Sequence, residues 1–331
     1  MKTFNFLQKK RERTDILADE LAGKLFAICS SEEIYLLMRW LNGSVDTLPQ
    51  KSIPLIQLFF EQIQIPNWVN LDRVKKGSQF YLKNENLILF LLGTLSLPYC
   101  YAAKNGVQVL FLSQRLQNDT LKRLQETALF VVEASSFDEE NIHAWKEKIL
   151  KIRLLHAVVR QHILQKSNWN NDWGMPINQE DMAGTNLSFS YIVLKGLRKL
   201  SVGYSQQEAE NFLHLWNAIG YLLGIDEDLL PDTLQEAYWL DKKIAETEFE
   251  ISPEGRALAQ SLIKVYTENA PETWIGDFFV GQMRFLLGKE IADILAIPNI
   301  ASQNLVSWML SSDFIKKLLI PNLRVSVSKK I

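Results

Sequence analysis

Apolar side chains recur at the three- and four-residue spacing of helices along almost the whole chain, and strand-like alternation is nearly absent. With start and stop residues placed between the runs, the pattern predicts helices over about 14–28, 31–41, 53–64, 77–97, 119–134, 139–166, 179–200, 205–224, 231–247, 253–269, 274–296 and 302–318. Thr14-Asp15 and Ser31-Glu32-Glu33 open the first two, and Asn42-Gly43 closes the second. Asp119 and Asn178 are placed as N-caps for later helices. Most prolines fall between the predicted segments, where they can begin or end a helix. Pro98 is the exception and is expected to end or kink its helix. Val107–Phe111 alternates as a short strand would, but a lone strand has no partner for its backbone, so its state stays open. No repeat, low-complexity linker or composition break divides the chain. The expectation is therefore an all-α protein with one large helical domain over residues 1–331, ending in a loose tail at 319–331.

Composition narrows the possible functions. Of 331 residues, 47% are hydrophobic and 22% charged, and 36 basic against 38 acidic side chains leave a net charge of -2. That balance excludes a disordered chain and an overall basic nucleic-acid binder. Cys29 and Cys100 are too few for a disulfide scaffold and too distant for a CxxC motif. Lys9, Lys10, Arg11 and Arg13 stand where an export signal would place its apolar core, which predicts a cytoplasmic protein. The uncharged stretch from Asn86 to Ala103 is broken by Gly93, Ser96 and Pro98, and is expected to be a core segment, not a membrane span.

Dinucleotide, P-loop, nucleophile-elbow and zincin motifs are all missing. What remains is a set of polar residues inside apolar helices. From Ile149 to Leu164 the chain is apolar around most of a helix, with Arg153, His156 and Arg160 on one stripe beside Ile149, Ile152, Val159 and Ile163. Two guanidinium groups there need anions. Haem propionates, with iron on the imidazole, would meet that need, and so would protein carboxylates from neighbouring helices. In a second helix Arg123 and Thr127 stand four apart with Thr120, Leu124 and Val131, able to aim a hydrogen-bonding pair into a pocket or to snorkel to solvent. In a third, Asn178 and Asp181 suit a capped helix start, and Thr185 and Asn186 follow inside it. His214 reads as a satisfied core residue. Glu140-Asn141-Ile142-His143 is one Glu-x-x-His unit of a di-iron site, which needs two.

In order along the chain, Arg123-x-x-x-Thr127, Arg153-Leu-Leu-His156-Ala-Val-Val-Arg160, Pro176-Ile-Asn-Gln-Glu-Asp181 with Thr185, Leu215-Trp216 with Gly220, and Leu229-Leu-Pro231 resemble the haem oxygenase family of MpaB-type oxygenases and latex-clearing, rubber-cleaving proteins. The similarity runs from about residue 65 to 288. It implies an all-helical fold with a globin-like core around one haem b, His156 as the proximal iron ligand, Arg153, Arg160 and Thr185 on the cofactor side, and Arg123 and Thr127 on the distal side. Two features depart from the latex-clearing members. Glu126 stands where they carry a lysine before the distal threonine, and no Asp or Glu occurs from Asn86 to Asn118, where they place a proposed catalytic base.

The resulting expectation is a haem b-dependent oxygenase that uses O2 on a small apolar molecule, an alkene or isoprenoid, rather than on polyisoprene. Its electron donor is unassigned, its self-association open, and neither nucleic acid nor a membrane span is involved. The alternative is a helical haem- or lipid-binding protein without turnover.

Overall fold

The computed structural model describes residues 7–112, 120–166, 168–300 and Leu318. The expected cap at Asp119, the tail at 319–331 and all but the last residue of the 302–318 helix lie outside them. Helices account for the regular structure throughout, and a one-residue antiparallel bridge between Ala103 and Phe249 is the β pairing found among the described residues.

In chain order the helices are α1 (Leu7–Lys10), α2 (Ile16–Ile28), α3 (Ser31–Leu41), α4 (Ile53–Gln62), α5 (Leu71–Leu91), α6 (Leu97–Tyr101), α7 (Val107–Leu112), α8 (Thr120–Ser135), α9 (Ile142–Lys166), α10 (Gln179–Phe189), α11 (Tyr191–Lys199), α12 (Gln206–Leu222), α13 (Leu234–Glu248), α14 (Pro253–Asn269), α15 (Thr273–Leu287) and α16 (Lys289–Ile294). Their starts follow the capping chemistry of the sequence. Asp15 accepts from the Ala18 amide, Asn178 from that of Asp181, and Ser30–Glu33 and Ser205–Glu208 are reciprocal capping boxes.

Two runs break where one helix was expected, and the segment left open is decided. Val107–Leu112 is helical, because no second strand is available to pair with it. The run expected over 179–200 breaks at Ser190, whose φ of -114° and ψ of -82° leave the helical region while its hydroxyl donates to the Asn186 carbonyl. The run expected over 274–296 divides at Gly288, which sits at φ 83°. At Pro98 the chain continues by widening: Leu92–Ser96 forms a π turn, with the Leu97 amide bonded to the Leu92 carbonyl. Proline has no N–H for the Thr94 carbonyl and its ring would crowd that carbonyl, and the wider turn relieves both.

Buried apolar residues from Leu7 to Ile297 form one continuous cluster. Helices α5 and α12 form its central pair, crossing at Gly77 so closely that a Cβ there would lie 2.4 Å from the Asn211 carbonyl oxygen. Helix α9 lies between α2, α3, α8 and α12. The stretch flagged as uncharged, at the end of α5 and in α6, is part of this core, and no helix among the described residues is long and apolar enough to cross a membrane.

Candidate functional site

On α9 the residues around His156 divide into two faces. Ile152, Leu155, His156 and Val159, at i, i+3, i+4 and i+7, keep partial accessibility, whereas Arg153, Leu154, Ala157, Val158 and Arg160 are buried. His156 is nevertheless enclosed. Burial is the main reason its pKa is held at about 3, with Arg160 and then Arg123 adding to the effect. His156 is thus desolvated while it keeps some accessible surface beside Ile152, Leu155 and Val159. Its imidazole is neutral, the form that binds metals, and Nδ1 is buried without a hydrogen-bond partner.

The arginines are held by partners of their own. Arg153, 9% exposed, donates from Nε and Nη2 to the two oxygens of Asp15 at 2.6 and 2.8 Å. Arg160, 2% exposed, pairs through Nη1 with Asp19 and gives Nε and Nη2 to the carbonyls of Pro176 and Ile177, both at 2.8 Å. Of the two kinds of anion that would satisfy these cations, the chain's own carboxylates on α2 occupy the place. Arg160 has no nitrogen left over for a propionate, and Arg153 has both Asp15 oxygens in a planar fork.

Arg123 and Thr127 share a half-buried face of α8 with Glu126 and Phe130. Arg123 reaches His156 electrostatically, so these two expected site residues are brought together. It also bears on Tyr101, a buried residue not singled out by the sequence. Thr127 donates its hydroxyl proton to the Arg123 carbonyl at 2.9 Å, one turn back in its own helix, and so does not offer it to the chamber. Thr185 likewise donates to the Asp181 carbonyl at 2.8 Å. It lies beside Cys100, whose thiol is raised to about 11 chiefly by burial, with the Ser188 and Thr185 hydroxyls opposing. Glu126 accepts from the Asn42 amide on α3 at 3.3 Å. His143 and His162 are exposed, as is Glu140, and no group of three His, Cys, Asp or Glu among the described residues is arranged to hold a metal. His214 accepts from the Asn70 amide at 3.0 Å against the edge of Trp68, a satisfied core histidine.

A second ionic cluster lies at the start of α10, and the sequence did not single it out. Arg11 Nη1 bridges Asp181 and Glu248, each at 3.0 Å, while Nη2 donates to the Trp173 carbonyl. Glu180, next to Asp181 and 1% exposed, has only a long 3.5 Å contact from the Thr247 hydroxyl. Burial pushes its pKa up to about 8, with Arg11 opposing and Glu248 and Asp181 adding. Three acids therefore share one guanidinium, and one of them keeps its proton at neutral pH. The run of Lys10, Arg11 and Arg13 followed by Asp15 and Asp19 was the available signal: these residues clamp the N-terminal segment onto α9, α10 and the Asp226–Asp228 loop.

Comparison with known proteins gives this arrangement its class. The catalytic-domain family of the ER-bound oxygenases mpaB/B' and rubber oxygenase matches residues 89–312, and the chain belongs to that family. Over 270 residues it is 24% identical to a rubber oxygenase of Streptomyces sp. (strain K30), a match spanning 79% of this chain and 65% of that protein. The structure of latex clearing protein LCP in the closed state superposes with a TM-score of 0.75 at 20% identity, over 97% of this chain and 93% of that one, which establishes the shared all-α fold.

Glu180 gives a test of the acidic cluster. Below its ordinary pKa of 4.5 the carboxyl is protonated folded or unfolded, and burial imposes no ionisation cost. Between 4.5 and about 8 the unfolded chain has released a proton that the folded protein retains, so stability falls as pH rises, and above 8 the penalty is complete. Glu180→Gln is expected to match the native protein near pH 4.5 and to exceed it by on the order of a few kcal/mol at pH 8. Denaturant unfolding across that range measures it, and a pH-independent difference would contradict the assignment.

Proposed function

We propose that this protein is a haem b-dependent oxygenase that uses O2 to oxidise a small apolar molecule of the alkene or isoprenoid class. The observation carrying this reading is the enclosed, neutral imidazole of His156, with a buried unpartnered Nδ1, on an apolar face of a helix within an oxygenase family's fold. The residues fit the cofactor at the iron. His156 would be the proximal ligand, and Ile152, Leu155 and Val159 would pack against the macrocycle. Haem would supply the iron at which O2 is activated. Its carboxylates would have to find partners other than Arg160.

The chain's own contribution follows from the side chains around that space. Ile152, Leu155 and Val159 would give that space an apolar wall suited to a hydrocarbon. Arg123 is a fixed cation whose N–H groups can stabilise negative charge developing on the oxygen being reduced, more strongly in a dry chamber than in water. Thr127 commits its proton to the Arg123 carbonyl of its own helix and would contribute shape rather than a hydrogen bond. Thr185 would border the cofactor from α10, and Glu126 is held by Asn42 on α3. With no acidic residue from Asn86 to Asn118, a small substrate is favoured over polyisoprene. The electron source is left open.

The protein is expected to purify with haem or to take it up stoichiometrically. His156→Ala should lose most of it, while His143→Ala and His162→Ala, altered at exposed positions, should retain it. Haem content per chain decides this, and equal retention in all three variants would remove His156 as the ligand. Arg123→Ala should keep its haem yet consume oxygen with an apolar alkene on the order of a hundredfold more slowly, whereas Thr127→Val should lose far less. Equal losses in oxygen uptake, or none in Arg123→Ala, would contradict the division of roles.

A further inference from the structure

We propose that Asp15 and Asp19 are positioning residues of the His156 site, acting through Arg153 and Arg160 to fix the helix that carries the imidazole and to cancel the two positive charges beside it. This rests on the haem reading above. Neither acid belongs to the part of the chain that matches the oxygenase catalytic domain, which begins at residue 89. The segment preceding the matched domain would thus complete its metal site.

The geometry carries the argument. Arg153 lies three residues before His156 and Arg160 four after it, so the two guanidinium groups flank the imidazole on adjacent turns of α9. Both are buried, and each meets one carboxylate of α2: Asp15, its N-cap, and Asp19, one turn further on. Asp15 uses both oxygens on Arg153, while Arg160 is also tied to the carbonyls of Pro176 and Ile177 in the loop that enters α10. The rotation and height of α9 are thereby set by contacts on the stripe of the helix that borders the imidazole. The chain makes room for this pairing at Gly224. Its φ is 89°, and a Cβ there would lie 2.3 Å from Asp15 Oδ2 and 2.9 Å from Arg153 Nε. Gln179 holds the turn by donating to the Gly224 carbonyl and accepting from the Asp226 amide, each at 2.8 Å.

Charge is the second consequence. Both guanidinium groups are buried, so one left uncompensated a turn from a metal ligand would act on the metal with less screening than a surface charge. With both arginines discharged, α2 sets the net charge around the iron, one of the levers by which a protein tunes reduction potential.

The test is the Fe(III)/Fe(II) midpoint potential of the haem-loaded full chain, measured by spectroelectrochemistry with haem content determined in parallel. Asp19→Asn removes a negative charge and should shift the potential upward. Arg160→Gln removes a positive one and should shift it downward, and the double variant should return toward the native value. Asp19→Glu should stay near native. If Asp19→Asn does not fold, Asp15→Asn with Arg153→Gln makes the same comparison at the other pair. A purely structural role would lower thermal stability without these opposed shifts. Retained haem with an unmoved potential, or single-variant shifts that the double variant fails to cancel, overturns the proposal alone. A native chain that takes up no haem overturns the haem reading with it.

Discussion

Two guanidinium groups buried in α9 can persist only if anions meet them, and the carboxylates of Asp15 and Asp19 do so from α2. Removing one partner of such a pair leaves an uncompensated buried charge, typically a loss of about 3–5 kcal/mol. Much of the surrounding architecture serves these pairs. The N-terminal segment is held against α10 by Arg11, and by Lys10 to Asp226 and Asp228 at 2.7 and 2.6 Å, so α2 arrives with its acids already placed. Gly224 leaves the space they need, and the Pro176 and Ile177 carbonyls engage the two other nitrogens of Arg160.

Because the arginines are satisfied from α2, the positions around His156 are free to be apolar. Ile152, Leu155 and Val159 accompany His156 there, and desolvation keeps the imidazole neutral without any carboxylate to orient it. Arg123 approaches from α8 as a cation whose role differs from that of Arg153 and Arg160: it shares the half-buried face of its helix with Thr127 and Phe130 and bears on His156 from across the space. Three arginines near one histidine thus divide into two structural cations and one candidate for chemistry.

The helical class was legible because periodicity and capping agree: Asp15 and Asn178 cap where the sequence opens their helices, and the second helix is capped by Ser30, one residue before the expected Ser31. The breaks were less legible. A serine inside an apolar run gives no local warning of the turn at Ser190, and the π turn before Pro98 is a compromise between a missing N–H and a core that requires the chain to continue. At the site, the triplet Arg153, His156 and Arg160 could be read from spacing, but the partners of its arginines could not. Asp15 and Asp19 lie 138 and 141 residues away, and nothing local distinguishes them from surface acids. Hydroxyl direction was equally hidden: Thr127 and Thr185 each commit their proton to a carbonyl of their own helix.

The central claim is that His156 alone presents nitrogen to a metal in the enclosed space. The most direct measurement is the visible absorption spectrum of haem-loaded His156→Gly, recorded without and with added imidazole. The account predicts that the native spectrum is lost in the variant and restored as imidazole fills the vacated cavity. A native spectrum in the variant without imidazole would contradict it.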